Sequence, residues 1–152
     1  MSHKKPSAFN CRVYGILTQK NQILISREKY DEIEIMKFPG GGIELGESPE
    51  EALIREFAEE ANAKIRIDEF INVSKKFHKS VFNGTQLIAL YWKVSLLEDE
   101  KITTHKELIP TGEKPNSFYQ LFWANIFDLN EDFFTFATEK ETFKKFKQSY
   151  SK

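Results

Sequence analysis

The sequence predicts an α/β protein folded as a single domain over residues 1–152, and three observations predict it. Short β-rich runs lie on both sides of one strongly capped amphipathic helix. A run of three glycines, Gly40, Gly41 and Gly42, leads into that helix. The apolar content, 40% of 152 residues, is enough for a core that needs no disulfide staples.

In chain order, the polar opening, residues 1–8, reads as a flexible tail. CRVYGILT and ILISR then flank the polar QKNQ, which is a hairpin pattern. EIMKF reads as a further strand, ended by Pro39 and the glycines. The helix follows, predicted over Pro49 to Ala61. Ser48 is its N-cap, Pro49 fills the first position, where a missing N–H costs nothing, and Glu51 completes a capping box. Leu53, Ile54, Phe57, Ala58 and Ala61 fall on one side at helical spacing, while Arg55, Glu56, Glu59 and Glu60 fall on the other. Asn62 is suited to the left-handed residue that ends helices.

AKIRIDEFINVSKKF and TQLIALYWKVSLL continue the sheet, with a tight turn at Asn83-Gly84. Residues 98–117 are polar and carry Pro110, Gly112 and Pro115, which predicts a long connecting loop. FYQLFWANIF is the last strand. Thr138 and Glu141 form a second capping-box pattern ahead of a helix with Phe143, Phe146 and Tyr150 inward and Lys144, Lys145 and Lys147 in solvent.

Composition excludes some functions. The formal charge is -1, so no global field draws in a long nucleic acid or an anionic membrane. No apolar run is long enough to span a bilayer, and the opening lacks the apolar stretch of a secretory signal. A cytoplasmic protein is therefore expected. The single cysteine, Cys11, reads as a small buried group, and Trp92 and Trp123 read as core.

The glycines and acids carry the chemistry. Glu56, Glu59 and Glu60 stand at i, i+3 and i+4 and would repel one another on one patch of helix. A hard divalent cation resolves that repulsion, and glycines without Cβ atoms let backbone approach a metal or a phosphate. Taken singly, such acids are commonly a solvated face and such glycines a plain turn; the ordered combination is what points to a site.

That combination resembles the Nudix box, G-x5-E-x7-R-E-U-x-E-E-x-G-U, where U is bulky and apolar. Gly41 opens it, Glu47 follows, then Arg55-Glu56, Phe57 at the first U position, and Glu59-Glu60. Asn62 and Ala63 depart from the final G-U, at positions that end and underpin the helix. The resemblance implies an α/β/α sandwich with a mixed β-sheet that hydrolyses a nucleoside diphosphate linked to another moiety, with Mg²⁺ or Mn²⁺ as cofactor. It implies metal ligation by Glu56, Glu59 and Glu60, with the Gly41 backbone added, and supporting roles for Arg55 and Glu47. The general base is expected to be Glu56, with Glu107 and Glu113 on the long loop as alternatives. Arg27, near phosphate, and Phe38, as a stacking surface for a base, are candidate substrate contacts beside Gly40, Gly41 and Gly42; packing or surface roles fit both as well.

The family's markers for ADP-ribose, dinucleoside polyphosphate and coenzyme A branches are missing, since His78, Lys79 and Val81 stand where the first two would lie. A nucleoside triphosphate or similar small nucleotide is the favoured substrate by elimination. The competing reading is a catalytically silent nucleotide-sensing or protein-interaction module. A third, hydrolysis at RNA 5′ ends, would draw on Lys75, Lys76, His78 and Lys79. A homodimer is compatible with all three.

Overall fold

The computed structural model describes residues 4–150. Of the expected tail, residues 1–3 lie outside the described residues, while the Ala8 carbonyl already accepts from the Gln86 amide at 2.9 Å. The hairpin forms as expected, from β1 (Phe9–Gln19) and β2 (Gln22–Tyr30). Its turn residues Lys20 and Asn21 both have positive φ, 51° and 65°, so the loop twists with the strands it joins. β3 (Ile33–Lys37) and β4 (Gly40–Gly42) follow, then the helix α1 (Pro49–Ala61), β5 (Ile65–Val73), β6 (Gln86–Leu96), β7 (Ile109–Pro110), β8 (Ser117–Asn125) and the helix α2 (Ala137–Ser149).

The strands make one mixed sheet in the order β5-β6-β1-β2-β8-β7. β1 and β6 run parallel over Phe9 to Leu17, and the other pairs are antiparallel. β1 and β2 pair only at their turn end, Thr18 with Ile23 and Gln19 with Gln22. Beyond it they splay, and the wedge is filled by β4 against Arg12 to Tyr14 and by β3 against Ser26 to Tyr30. This wedge positions the site.

A helix lies on each face. α1 buries Leu53 and Phe57 against Val13, Leu17, Leu24, Trp92 and Leu121. α2 buries Phe143 and Phe146 against Tyr14, Ile16, Ile23, Ile25 and Tyr91. Each large side chain so removed from water stabilises the fold by about 1.5–3 kcal/mol.

α1 has the predicted bounds and both hydrogen bonds of its capping box, and Asn62 ends it in the left-handed region (φ 50°, ψ 42°). The inward face differs from expectation. It is Ala52, Leu53, Phe57 and Ala61, while Ile54 is 42% exposed and Ala58 is exposed. Cys11 is only half-buried.

The second capping box does not form. α2 begins two residues early, at Ala137, with Phe136 in place of Thr138 as an N-cap that makes no side-chain bond. Thr138 is drawn inside, where its hydroxyl bonds Glu139, and Glu141 instead accepts from Asn72 at 3.4 Å. Lys147 is not purely solvated either, since its ammonium donates to the Leu129 carbonyl. The 98–117 connection is more ordered than predicted. Ile109 and Pro110 pair with β8, and His105 both donates to and accepts from the Leu121 backbone. Among the described residues no helix is long and apolar enough to cross a membrane.

Candidate active site

The glycine strand β4 and the exposed face of α1 meet through Arg55. Its Nε and Nη2 donate to the two Glu47 oxygens at 3.0 and 2.7 Å, a two-pronged pairing. Nη2 also donates to the Gly42 carbonyl at 2.9 Å, and Nη1 to Glu56 at 3.0 Å and Glu59 at 3.2 Å. One guanidinium thus ties the turn, the loop and two of the acids together. Glu47 also accepts from the Glu44 amide at 2.8 Å.

The hydrogen bond from Arg55, aided by the Glu44 amide, holds the Glu47 carboxyl down at a pKa of about 2. A carboxylate depressed in the folded state stabilises it above the unfolded value, near 4.3, and that contribution is lost as pH falls toward 2. Glu47→Gln is accordingly expected to lower the melting temperature at pH 7. The gap to wild type should close as the pH is taken from about 5 to 2, read by circular dichroism melts. A gap that is constant over that range would disprove the pairing.

Glu56 lies against Gly41. A Cβ built on Gly41 would sit 2.5 Å from the Glu56 carboxylate, so the absence of a side chain is what gives that carboxylate its place. Burial pushes the Glu56 carboxyl up, with Arg55 opposing. Glu60 departs from the expected common patch. It turns inward, accepting from Ser26 Oγ at 2.8 Å and the Gly40 amide at 3.2 Å. Burial pushes it up as well, and the Lys37 ammonium pulls the other way. No three acidic, histidine or cysteine side chains among the described residues stand close enough to form a ready-made metal cage.

Two substrate contacts expected from sequence are corrected. Phe38 is fully buried, with its ring 4.7 Å from that of Phe134 and 6.0 Å from that of Tyr91, so it is core and offers no stacking surface. Arg27 bonds Glu34 and Gln120, and by strand alternation its side chain leaves β2 on the face opposite Ser26, the residue that reaches Glu60. It is not brought to the acids. Glu107 and Glu113 are both exposed, but Glu113 lines the cleft beside the site and Glu107 does not. Trp92 is buried as expected, and Trp123 is partly buried against the α1 side of the core.

Sequence reading missed the polar wall of the wedge. Arg12 and Tyr14 on β1, Glu28 and Tyr30 on β2, and Lys37 on β3 line a cleft of about 500 Å³. Arg12 Nε donates to Tyr14 Oη at 2.6 Å, Lys37 Nζ lies 2.9 Å from Glu28 Oε1, and Tyr30 Oη donates to Glu28 Oε2 at 2.6 Å. The available signal was a charge at an inward position of an apolar strand, as in EIMKF.

Comparison with known proteins agrees with this arrangement. The NUDIX domain profile matches residues 9–145. The 8-oxo-dGTP diphosphatase of Escherichia coli (strain K12) is 30% identical over 126 residues, covering 82% of this chain and 85% of that protein. The ADP-ribose pyrophosphatase candidate YjhB of Bacillus subtilis (strain 168) is 45% identical over 49 residues, 32% of this chain and only 23% of that protein. Among solved structures, a NUDIX hydrolase from Nitrosomonas europaea superposes with a TM-score of 0.67 at 16% identity, covering 95% of this chain and 90% of that one. A MutT NUDIX hydrolase from Burkholderia pseudomallei gives 0.67 at 16% identity over 91% and 98%. At these identities the structures speak for the fold, the α/β/α sandwich with a mixed sheet. With a family match spanning nearly the whole described chain and the box residues gathered around Gly41, the chain belongs to the NUDIX family.

Proposed function

We propose that the chain hydrolyses a nucleoside diphosphate linked to another moiety, a nucleoside triphosphate or similar small nucleotide, with Mg²⁺ or Mn²⁺. The observation that carries this reading is the Arg55 hub, which holds Glu56 and Glu59 beside the open backbone of Gly41, with Arg12 of the neighbouring cleft wall next to Gly42.

The donor set fits a hard cation: carboxylate oxygens of Glu56 and Glu59, backbone at Gly41 where a Cβ would intrude, and Glu60 from the inner side. When bound, such a metal supplies neutralisation of the diphosphate charge and acidification of water. The chain's own residues do the rest. Arg55 fixes Glu56 and Glu59 through Nη1 and the turn through Nη2. Water attacks one phosphorus in line, a new P–O bond forms as the bridging P–O bond breaks, and Glu56 accepts the water's proton. Glu107 and Glu113 are the alternative bases, Glu113 being the one on the cleft wall.

The test is a screen for phosphate and pyrophosphate release across nucleoside triphosphates, ADP-ribose, nucleotide sugars and dinucleoside polyphosphates, with Mg²⁺ or Mn²⁺, beside Glu59→Gln. Turnover of one class is expected, lost by about a hundredfold or more in the variant. No turnover of any class by a protein that binds metal would favour the silent sensing module.

A further inference from the structure

Glu60 from α1 and Glu28 from β2 flank a buried ammonium. Glu60 is held by Ser26 Oγ at 2.8 Å and by the Gly40 amide at 3.2 Å. Lys37 is the ladder partner of Ser26, so the two side chains leave the sheet on the same face, beside Glu60. On its other side, Lys37 Nζ lies 2.9 Å from Glu28 Oε1, and the second Glu28 oxygen accepts from Tyr30 at 2.6 Å.

Lys37 is 3% exposed, and its enclosed Nζ has no well-aligned hydrogen-bond acceptor among the described residues. It therefore acts on its neighbours as a point charge, set over the Tyr14 ring at 5.2 Å from the centroid. Burial alone would lower the Lys37 ammonium, yet Glu28 first and Glu60 next hold it above the ordinary lysine range. In return, and against burial, Lys37 and then Tyr30 hold Glu28 below the ordinary carboxylate range. Two carboxylates and one ammonium leave a single negative charge. Without the lysine, the same oxygens would face one another as uncompensated buried charges, an arrangement that proteins sustain by pairing or by binding metal.

We infer that the Lys37 ammonium occupies the place of a divalent cation between Glu28 and Glu60, and so confines exchangeable metal to the outer position at Glu56, Glu59 and the Gly41 backbone. The inference rests on the proposed metal-dependent hydrolysis for that outer cation. Lys37 is a positioning residue: it touches no substrate, and it acts through Glu60, which it shares with the outer metal. A cation held by two carboxylates and completed by water is an ordinary coordination for Mg²⁺ and Mn²⁺, so removal of the ammonium should open a second position.

The experiment is Mn²⁺ binding to the metal-stripped protein, by calorimetry and by the electron-spin signal of free Mn²⁺, with thermal melts in EDTA and in Mn²⁺. No turnover is involved. Lys37→Met, similar in volume and uncharged, is expected to bind one more equivalent of Mn²⁺ than wild type and to melt below it in EDTA. Mn²⁺ should restore about half or more of that deficit. Lys37→Arg should keep the wild-type number of equivalents. In Lys37→Met/Glu28→Gln the additional equivalent should vanish, because a single carboxylate is left, and the melt in EDTA should recover. A folded Lys37→Met protein that binds only as many equivalents as wild type overturns the inference. Should Lys37→Met not fold, Glu28→Gln decides. Its ammonium bears on Glu60 alone, so Mn²⁺ affinity at the outer position should fall about threefold or more, and an unchanged affinity overturns the inference. A wild-type protein that binds no Mn²⁺ would speak against the proposed hydrolysis, while an equivalent gained by Lys37→Met over that zero would uphold this inference by itself.

Discussion

Glu56→Gln is expected to lower kcat by about 10²- to 10⁴-fold while leaving the melting temperature within a few degrees of wild type. The carboxylate sits against Gly41 where no side chain can intrude, and it is held by Arg55 at 3.0 Å. Glutamine keeps the shape and an acceptor for Arg55 but cannot take a proton from water. The fold should tolerate the change, because burial already disfavours the charged form of Glu56 and the amide removes that penalty. The rival base is tested alongside. Glu113 lines the cleft but lies on an exposed stretch, where its amide donates to Thr111 Oγ1 at 3.2 Å. Glu113→Gln should change kcat by less than about threefold. A large loss there with little loss in Glu56→Gln would reverse the assignment.

What could be read from the sequence divides along a physical line. Features fixed by local chemistry were legible: Ser48, Pro49 and Glu51 set the start of α1, and Asn62 set its end. The polar turn within QKNQ belongs to the same class, and the structure narrows it to Lys20-Asn21. Features decided by partners far along the chain were not. Helical periodicity puts Glu60 with Glu56 and Glu59, yet Ser26, on a strand 34 residues earlier, draws it inward. Thr138 and Glu141 have the spacing of a capping box, but Asn72 and the interior compete for those side chains and win. β7 is only two residues, defined by its register with β8 rather than by its own composition.

The site shows the same division. The box residues have a fixed spacing on one turn and one helix, so they could be placed without a structure. Phe38 could be an exposed stacking ring or a core ring on identical local evidence, and only Phe134 and Tyr91 decide that it is core. Lys37 and Glu28 look like ordinary strand charges until the β2–β3 ladder, with Ser26 opposite Lys37 and Ile35 opposite Glu28, sets them side by side on the cleft wall.

The glycine run should separate stability from activity within two adjacent positions. Gly40→Ala is expected to destabilise the protein by more than about 3 kcal/mol, lowering the melting temperature by roughly 10 °C or making the protein insoluble. Gly40 has φ +152°, and a Cβ there would lie 2.0 Å from the Val13 carbonyl oxygen and 2.8 Å from Tyr14 Cα. Those are backbone atoms, and they cannot step aside. β4 is locked to β1 by the pairing of Gly40 with Tyr14, Gly41 with Val13 and Gly42 with Arg12, and the Gly15 amide donates to the Pro39 carbonyl at 3.0 Å. Gly41→Ala meets a different obstacle, the carboxylate end of Glu56 at 2.5 Å, and a flexible side chain can swing away. Its melting temperature should stay within about 4 °C of wild type, while activity falls with the displaced carboxylate by about tenfold or more. Thermal melts and turnover on the two purified variants settle the matter. A Gly40→Ala protein that melts like wild type would mean that β4 is not held against β1 as described, and a fully active Gly41→Ala protein would remove Glu56 from its place beside the glycines.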